Sequence, residues 1–471
     1  MYKINPYVTR LQISNDAELW YNPLNQKIMV LDREDLVSAL TEKPNKKLIN
    51  SLFVIRCKEN ENESKTLARI WNSVSSSYSF KPNIEVAYFI MTEGCNLACK
   101  YCFIKRGAIK HGIPNAILMP AEVIDRGLGL FALFAKHAEE PTINLYGGEP
   151  LLNRKGVVHF IEQLERMKAK GTMPANTTTN IVTNGSLLDE DIISLIKKHK
   201  VMLSISLDGP PKLNDKMRVY PNGRGSSDVI IKNIKRLAKI GLRFTVSCSI
   251  TEYNFDKLDE TVRYFIEEFG CKEISLNMPM VLEKFRPDSS LMAEKMLHAY
   301  EVIKSYGGSE DRFSRILRPL IEGGIRISDC AGCGGQIVIS PSGFIGPCHA
   351  YLGFKEGHFE DFGLLKDDLN GVKKRIEKSE LFQSWAQKSP LLSASCESCK
   401  VFSLCGGGRY HFAEKYGLDK DEHWCAYVKA ASTWALNHIA AGEKFDMRKE
   451  TEKVFRTRRA VKAAIKKSIT A

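Results

Sequence analysis

The chain has 471 residues, of which 44% are apolar and 26% are charged, and its formal net charge is +13. This length is enough for two to four domains with substantial buried cores, and the composition is ordinary for a soluble globular protein. No apolar run approaches the roughly 18 residues that suggest a membrane span, and the first residues lack the basic and apolar regions of a secretory signal. We therefore expect a cytoplasmic protein.

Residues 1–80 predict a small α+β module with its own core. The stretch "ELWYNPLNQKIMVLD" (18–32) is typical of a β-hairpin, because a polar Asn-Pro-Leu-Asn turn separates two apolar runs. "REDLVSALTE" and "NKKLINSLF" predict short helices, and "FVIRC" predicts a strand. A polar stretch, "KENENESKTLARIWNSVSSSYSFKPN", then leads into the next domain.

Residues 81–285 alternate short apolar strands with amphipathic helices, such as "LLDEDIISLIKKHK" and "SDVIIKNIKRLAKIG". The predicted strands are "EVAYFIM" (85–91), "TINLYGG" (142–148), "TTTNIVTNG" (177–185), "MLSISLDG" (202–209), "RFTVSCSIT" (243–251) and "EISLNMP" (273–279). Repeated strand–helix units predict a parallel sheet. Six units favour an α/β fold of the partial (β/α)6 TIM-like barrel type, with a doubly wound sheet as the alternative. In both, function belongs at the carboxyl ends of the strands.

The remaining sequence divides into three parts. Residues 286–329 predict a helical connector, and residues 330–440 predict a separate domain, of which 330–425 are rich in cysteine and glycine with little periodicity. Residues 441–471 predict a basic helical tail, whose segment 447–471 holds nine Lys and Arg against two Glu and so contributes +7. Such a tail suits an acidic peptide, RNA or a membrane surface, and it is also typical of a solvated terminal helix.

Thirteen cysteines in a reducing compartment indicate metal binding or catalysis rather than disulfides. Ten of them fall into three tight groups. The other three, Cys57, Cys248 and Cys271, stand alone, and we expect them to be buried thiols in the core or in strands.

The first group lies in "MTEGCNLACKYCF", directly after the first barrel strand, and consists of Cys95, Cys99 and Cys102. A [4Fe–4S] cluster has four irons that each need a ligand from outside the cluster. Three close thiolates therefore hold three irons and leave the fourth open to a small molecule. A zinc site needs a fourth ligand, for which His111 is the nearest candidate. Structural zinc and a redox pair are the alternatives.

This spacing, with Tyr101 just before the last cysteine, resembles the signature of the radical S-adenosylmethionine (SAM) enzymes. "YGGEP", after the second strand, is similar to the glycine–glycine–glutamate motif of that superfamily. The resemblance covers roughly residues 85–285. It implies that SAM chelates the open iron and is cleaved, after reduction by flavodoxin or ferredoxin, to a 5′-deoxyadenosyl radical that abstracts hydrogen from the substrate.

The same resemblance implies which residues contact SAM. Gly147 and Gly148 lack side chains, so their backbone can approach the cofactor, and Glu149 can receive its ammonium group. The other residues implied in SAM binding are Tyr101, Asn184, Ser204, Ser206 and Arg218. For the polar residues at the strand ends, a turn or helix-capping role is the alternative.

The remaining seven grouped cysteines resemble the SPASM domain that follows many radical SAM barrels. The resemblance implies one or two auxiliary [4Fe–4S] clusters. The ligands of the first would be Cys330, Cys333 and Cys348, and those of the second Cys396, Cys399, Cys405 and Cys425. One position departs from the pattern, because Arg409 stands where the family has a further cysteine for the first cluster. An open iron for a substrate thiolate, or a fourth ligand such as His349, are the two readings. For residues 396–425 alone, a zinc ribbon is the alternative.

SPASM relatives mostly modify peptides and proteins, so the substrate is expected to be a peptide. The N-terminal module resembles leader-peptide recognition elements, which bind a leader as an added strand, although a structural cap is the alternative. Sulfatase-maturating relatives place an aspartate directly after the cysteine corresponding to Cys348, whereas this chain has His349. Histidine titrates near neutral pH, so His349 is a candidate base or ligand, or a structural residue. Arg409 is a candidate catalytic residue, in contact with a cluster or with the substrate.

These observations predict a radical SAM oxidoreductase that crosslinks a ribosomally made precursor peptide (RiPP maturation) through a thioether or carbon–carbon bond. The expected partners are the precursor peptide with its leader and the external reductant. The alternative is oxidation of a protein Cys or Ser to formylglycine, as in sulfatase maturation. An RNA-modifying enzyme and a non-catalytic iron–sulfur scaffold fit less well, and neither nucleic acid nor a membrane is an expected partner.

Overall fold

The computed structural model describes residues 1–58, 61–102, 117–279, 285–352 and 358–442, together with the backbone of 110–111. The basic tail beyond residue 442 and the side chain of His111 lie outside the described part of the chain. The strands are β1 (Tyr2–Ile4), β2 (Thr9–Ser14), β3 (Ala17–Asn22), β4 (Lys27–Asp32), β5 (Val54–Arg56), β6 (Val86–Thr92), β7 (Gly94–Cys95), β8 (Lys110–His111), β9 (Thr142–Gly147), β10 (Thr178–Thr183), β11 (Met202–Ser206), β12 (Thr245–Ser249), β13 (Glu273–Asn277), β14 (Ser309–Glu310), β15 (Gln336–Ile339) and β16 (Ile345–Gly346).

The helices carry the labels α1 to α16. They are α1 (Arg33–Ala39), α2 (Lys46–Asn50), α3 (Glu63–Ser75), α4 (Ala121–Ala135), α5 (Arg154–Ala169), α6 (Glu190–Lys198), α7 (Pro211–Met217), α8 (Ser227–Lys239), α9 (Leu258–Phe269), α10 (Ser289–Ser305), α11 (Asp311–Glu322), α12 (Leu369–Lys378), α13 (Glu380–Ala386), α14 (Phe402–Cys405), α15 (Tyr410–Lys415) and α16 (Glu422–Ala440). Among the described residues, no helix is long and apolar enough to span a bilayer.

The six predicted strands are present and form one parallel sheet in the order β13-β12-β11-β10-β9-β6. This order follows the chain without a reversal. Since crossovers between parallel strands are right-handed, the connecting helices then lie on one face of the sheet. A doubly wound sheet reverses its order at a switch point, so this topology is the one-directional winding of a barrel.

The two faces of this sheet differ because the strand residues alternate between them. On the helix-covered face, Phe89 is fully buried and meets Phe160 of α5 at 4.9 Å in an edge-on contact. A Cβ on Gly127 of α4 would lie 2.7 Å from the Phe89 ring, so a glycine is needed for α4 to pack this closely. Each fully buried apolar side chain of this kind contributes roughly 1.5–3 kcal/mol. The opposite face carries polar side chains, and we call it the polar face.

The helices begin and end where the sequence satisfies their end groups. In α6 the Asp189 side chain accepts from the Ile192 N–H, while Lys197 and Lys198 lie in the last turn. The acidic start and basic end also complement the helix dipole. Such caps fix the residue at which each helix begins. They therefore also fix the loop that joins the helix to the end of the preceding strand.

The C-terminal region adds a strand that the sequence pattern did not predict. β15 pairs in parallel with β6, with Gln336 opposite Val86, and β16 continues antiparallel. All four residues of β15 are buried, so the strand shows no polar–apolar alternation. The sequence of residues 330–425 shows little periodicity, and for this reason no strand was predicted here. β14 extends the other edge of the sheet beside β13.

The N-terminal residues contain the predicted hairpin, β3–β4, with β2 added as a third antiparallel strand. The polar stretch predicted after the module is not a plain connection, because it contains the 13-residue helix α3. Asn62 caps this helix, and Ile70, Trp71 and Val74 are its buried face at helical spacing. The surrounding Lys, Glu, Asn and Ser residues concealed that period in the sequence.

The N-terminal elements pack directly on the segment that carries the last cysteine group. The ring of Phe402 in α14 meets Tyr7 at 5.6 Å and Trp71 at 5.3 Å, both edge-on. The Tyr21 hydroxyl lies 3.0 Å from Ser403 Oγ. Residues 1–80 therefore have a core of their own around Trp20 and share a second core with the cysteine-rich region.

Phe402→Ala tests this shared core. Loss of a buried aromatic ring costs about 3–5 kcal/mol, so the variant should unfold at lower temperature and its amide exchange should rise in β1–β5 and α3. The measurement is hydrogen exchange read by mass spectrometry, with Leu392→Ala, a half-exposed neighbour, as the control. Exchange that rises equally in β9–β12, or not at all, would contradict a shared core.

Candidate active site

The three cysteines of the first group lie in the segment after β6, where they are half-buried and form no disulfide. Backbone hydrogen bonds fix the middle of this loop, since Ala98 N donates to Val219 O at 2.7 Å and Lys100 N donates to Met217 O at 2.9 Å. Burial raises the pKa of the Cys99 thiol to about 11. Binding of iron to these thiols must therefore release protons.

The two glycines of "YGGEP" join β9 to the cysteine loop. Gly148 N donates to Thr92 O at 3.1 Å, and Glu149 N donates to Gly94 O at 2.8 Å. A Cβ on Gly148 would lie 2.1 Å from Gly94 O, and one on Gly147, whose φ is +133°, would lie 2.3 Å from Thr92 O. The sequence analysis explained these glycines by approach to a cofactor. In the structure they permit close approach of two backbone segments.

Glu149 is fully buried and its carboxylate ties β9 to the end of β10. It accepts from Thr183 Oγ1 at 2.7 Å, from Asn184 N at 2.7 Å and from Leu151 N at 3.1 Å. Burial raises the pKa of this carboxyl, and the three donors act in the opposite direction. The carboxylate is thus held rigidly beside the cysteine loop.

Asn184 also contacts the cysteine loop. Its side-chain amide donates to Asn96 Oδ1 at 2.8 Å, and Asn96 donates to Ser186 Oγ at 2.8 Å. The Asn184 Oδ1 accepts from the backbone and hydroxyl of Ser186. The structure thus uses this predicted cofactor residue to fasten the "TNG" turn to the loop. Asn96 was not predicted, although it lies within the cysteine motif.

A buried chain of three polar side chains links the last loop residues to β11. The Tyr101 hydroxyl donates to Asp208 Oδ2 at 2.6 Å and accepts from Arg218 Nη1 at 2.7 Å. The other Asp208 oxygen accepts from Ser249 N at 2.9 Å. Sequence reasoning placed Tyr101 and Arg218 at the cofactor but did not predict that Asp208 joins them.

Burial raises the pKa of Asp208, and the positive charge of Arg218 opposes this increase. Burial also raises the pKa of Tyr101. Arg218 is only 6% exposed, and its Nε has no hydrogen-bond partner among the described residues. Its positive charge acts to lower the pKa of the Cys99 thiol and so opposes the effect of burial. A buried guanidinium with a spare donor beside the cysteine loop fits a carboxylate ligand, such as the one that SAM carries.

The polar face of the sheet carries linked amides and hydroxyls. Ser204 Oγ donates to Asn180 Oδ1 at 3.1 Å, and Asn180 donates to Asn144 Oδ1 at 3.1 Å. Across the sheet, Arg312 donates to Asn277 Oδ1 at 2.7 Å, and Asn277 donates to Ser247 Oγ at 2.9 Å. Ser206, also predicted, follows Ser204 on the same face. The sequence carries a signal for the other residues of this polar face, because polar residues recur at every second position of these strands.

The first auxiliary group brings Cys330 and Cys333 beside the loop that ends at Cys348. Cys333 N donates to Cys330 O at 3.0 Å. Gly332 permits a close approach, because a Cβ there would lie 3.1 Å from Pro347 O and 3.3 Å from Cys330 Sγ. Burial raises the pKa of the Cys348 thiol, and the charge of Cys330 adds to the increase. The three predicted residues thus come from two segments that meet.

The second group joins a turn, α14 and α16. Cys399 N donates to Cys396 O at 3.0 Å, and Trp424 Nε1 donates to Cys405 O at 2.9 Å, which places Cys425 near α14. Among the described residues, no three His, Cys, Asp or Glu side chains are close enough to hold one metal ion. A [4Fe–4S] cluster distributes its thiolates over separate irons, so its ligands are farther apart than those of a single ion.

Arg409, at the position of the missing cysteine, has its guanidinium in a buried ion pair. Nε donates to Asp421 Oδ2 at 2.6 Å, and Nη1 donates to the Met278 and Pro279 carbonyls at 3.1 and 2.8 Å. Although burial acts to raise it, Arg409 lowers the pKa of Asp421. This candidate catalytic residue is thus placed as a link between α15, α16 and the end of β13.

His349 lies between aromatic rings rather than beside a carboxylate. Its ring stacks on Tyr88 at 4.6 Å with an interplanar angle of 17°, and it meets Tyr146 edge-on at 4.8 Å. Burial lowers the pKa of His349 to about 4, so the ring is neutral at pH 7. The two tyrosines pack in one cluster with Cys95 and Cys102. His349 therefore lies between the first cysteine loop and Cys348.

Gly148→Ala tests the backbone contact at the cysteine loop. The added methyl group should push the loop from β9, so less iron should bind at the first cysteine group. The measurement is iron per chain after anaerobic reconstitution. Gly371→Ala is the matched control, because its nearest neighbour is 3.7 Å from the added Cβ. Equal iron in both variants would contradict the importance of this contact.

Residues 89–265 match the radical SAM superfamily. The radical SAM cyclopropyl synthase TigE of Paramaledivibacter caminithermalis is 23% identical over 427 residues, which are 86% of this chain and 82% of that protein. A cysteine-type anaerobic sulfatase-maturating enzyme of Clostridium novyi is 24% identical over 339 residues, 67% of this chain and 85% of that protein.

Two solved structures share the fold. The first, anSMEcpe with bound AdoMet, superposes with a TM-score of 0.62 at 18% identity and covers 76% of this chain and all (100%) of that one. The second, SuiB of Streptococcus suis bound to its precursor peptide SuiA, has a TM-score of 0.52 at 18% identity and covers 89% of this chain and 98% of that one. The chain therefore contains a radical SAM domain at residues 89–265, and its relatives include both a cyclopropyl synthase and sulfatase-maturating enzymes.

Proposed function

We propose that this enzyme matures a ribosomally made precursor peptide by abstracting hydrogen from it and closing a thioether or carbon–carbon crosslink. The observation that carries this choice is the extent of similarity. TigE and SuiB correspond to 86% and 89% of the chain, whereas the sulfatase-maturating relative and anSMEcpe correspond to 67% and 76%. The structure of SuiB contains its precursor peptide SuiA, and this supports a peptide substrate for the present enzyme.

The residues of the first site suit the cofactors of this chemistry. Cys95, Cys99 and Cys102 would hold three irons of a [4Fe–4S] cluster, and Arg218 would pair with the carboxylate of SAM. When bound, the cluster and SAM supply a 5′-deoxyadenosyl radical that removes a hydrogen atom from the substrate. The chain's own part is positioning, because the glycine contacts and the Tyr101–Asp208–Arg218 hydrogen bonds fix these groups before the substrate arrives.

The two auxiliary groups suit clusters of different completeness. The second has four cysteines, a full set of thiolates. The first has three, and Arg409 does not add a ligand because it is paired with Asp421. The open position would accept a substrate thiolate. His349 would act as a neutral spacer between the two cysteine loops. In this proposal the region is a SPASM domain.

The polar face would hold the core peptide. Its amides and hydroxyls, such as Asn144, Asn180 and Asn277, both donate and accept, as the backbone of an extended peptide requires. Interactions with the peptide backbone would keep the chain in place and leave the choice of the reacting residue to its position relative to the radical.

The leader would add to the edge of β4. Within the described residues, β4 pairs with β3 on one side and ends the three-stranded sheet. Val30 on this strand is 55% exposed, Val37 of α1 is 59% exposed, and Leu40, directly after α1, is 79% exposed. An unpaired edge beside exposed apolar side chains suits an extended amphipathic segment. The net charge of +13 would favour an acidic leader.

Oxidation of a protein Cys or Ser to formylglycine is the second candidate. The identity to sulfatase-maturating enzymes and the TM-score of 0.62 to anSMEcpe favour it. His349 weakens it, because a neutral, stacked imidazole stands at the position where the resemblance places the aspartate of those enzymes. A flavodoxin or ferredoxin reductant and a cytoplasmic location belong to both candidates.

The deciding experiment is anaerobic coexpression with a candidate precursor peptide, chosen from short reading frames beside the gene, followed by mass spectrometry. We expect a loss of two hydrogens for each crosslink, with fragmentation showing which residues are joined. The Cys99→Ala variant, which lacks one cluster ligand, should leave the peptide unchanged. If the reconstituted enzyme cleaves SAM but converts only a peptide with a sulfatase Cys motif, the second candidate replaces the first.

Val30→Asp tests the leader site. A charge at the β4 edge should weaken binding of the same peptide about tenfold or more, which corresponds to about 1.4 kcal/mol. Fluorescence anisotropy of the labelled peptide measures this. Ile240→Asp, at a comparably exposed position after α8, is the control. Equal affinities for both variants would show that the leader binds elsewhere.

A further inference from the structure

We infer that two buried arginines, Arg315 and Arg326, tune the auxiliary clusters. Arg315 would donate an N–H hydrogen bond to a sulfur of the first cluster, and Arg326 to a sulfur of the second, so that each raises the reduction potential of its own cluster. This inference rests on the proposed auxiliary clusters.

The two arginines share one carboxylate, that of Asp329, and Arg315 also pairs with Asp311 at 3.2 Å. Asp329 Oδ1 accepts from Arg315 Nη1 at 3.1 Å and from Arg326 Nη2. The three side chains are 14%, 7% and 4% exposed for Arg315, Arg326 and Asp329. Asp329 directly precedes Cys330 in the chain. The carboxylate therefore fixes both guanidinium groups next to the first auxiliary group.

The same segment is joined by its backbone to the second group. Asp329 N donates to Gly406 O at 2.6 Å, and Arg326 N donates to Ser403 O at 2.8 Å. Gly406 follows Cys405 and has a φ of +67°, and a Cβ there would lie 2.4 Å from Asp329 N. Only glycine permits this contact. Since Arg326 and Asp329 bond the backbone beside Cys405 and Asp329 also precedes Cys330, the arginines lie between the two cysteine groups.

Trp424 gives a second measure of this position. Its indole N–H bonds the Cys405 carbonyl at 2.9 Å, and the next residue is the cluster cysteine Cys425. The guanidinium carbons of Arg315 and Arg326 lie 6.0 and 5.9 Å from the centre of its ring. Both arginines are therefore close to the helix that completes the second group.

Each arginine keeps one buried N–H without an acceptor. Within the described residues, Arg315 Nε and Arg326 Nη1 have no hydrogen-bond partner. A buried donor left unpaired costs about 1–3 kcal/mol, so such a group usually has an acceptor. The nearby thiols supply the candidates, because Cys330 is among the groups whose charge acts on Arg315, and Cys405 among those that act on Arg326.

Cluster sulfurs are acceptors that the protein alone lacks. Hydrogen bonds to the sulfurs and nearby positive charge stabilise the reduced, more negative cluster and so raise its potential. The two arginines should act on different clusters because they lie in different places, with Arg315 next to Cys330 of the first group and Arg326 next to Cys405 of the second. Removal of one guanidinium should therefore lower the potential of one cluster more than that of the other.

The test is a redox titration of the full-length reconstituted enzyme, followed by electron paramagnetic resonance. Arg315→Gln should lower the midpoint potential of the first auxiliary cluster, and Arg326→Gln that of the second. The Cys348→Ala and Cys405→Ala variants identify which signal belongs to which cluster. Arg318→Gln is the matched control, because Arg318 is also buried on α11 and its Nη1 also has no partner within the described residues, but its carboxylate partner is Glu322 at 3.0 Å rather than Asp329, the residue before Cys330. It should shift neither potential.

The outcomes separate this inference from the proposed function. Intact clusters with unchanged potentials in both variants would overturn the tuning role alone, as would equal shifts in all three arginine variants. Iron that fills only the first cysteine loop would overturn the auxiliary clusters and the inference together. If Arg326→Gln does not fold, Arg326→Lys serves in its place, since it keeps the charge but loses the planar donor set.

Discussion

The contact between the backbone of β9 and the loop after β6 determines the arrangement of the active site. Gly148 N–H and Glu149 N–H bond carbonyl groups on either side of the cysteine loop's start, at distances that exclude any side chain at Gly147 or Gly148. Once this contact forms, Glu149 faces the end of β10 and accepts its donors. The cysteine loop, the glycine turn and the "TNG" turn therefore form one unit, and displacement of any of them moves the thiols.

Buried charges then join elements that are distant in sequence. Asp208 meets Tyr101 and Arg218, while Arg409 meets Asp421. A buried ion pair adds little net stability, because desolvation offsets its attraction, but breaking one leaves an uncompensated charge. These groups therefore contribute mainly to the specificity of the fold, since only one arrangement of loop, sheet and C-terminal helices pairs all of them.

Much of the fold could be predicted from local pattern. The six barrel strands are short apolar runs separated by amphipathic helices, and their carboxyl ends carry the cysteines and glycines. α3 and β15 were missed for opposite reasons, since polar residues hide the period of α3 and burial on both faces removes that of β15. At the site, residue types indicated Glu149 and Arg409, but their partners, Thr183 and Asp421, come from other elements. Tertiary contacts of this kind leave no local signature in one sequence.

The position of β15 also imposes an order on assembly during synthesis. β6 begins at residue 86, and the strand that covers its free edge begins at residue 336. At about 5–20 residues per second, the ribosome needs on the order of tens of seconds to make the intervening chain. Until then, the first barrel strand has an unpaired edge, which can pair with other chains. The cysteine loop that follows this strand is thus translated well before β15, whose Val338 lies in one apolar cluster with Cys95 and Cys102.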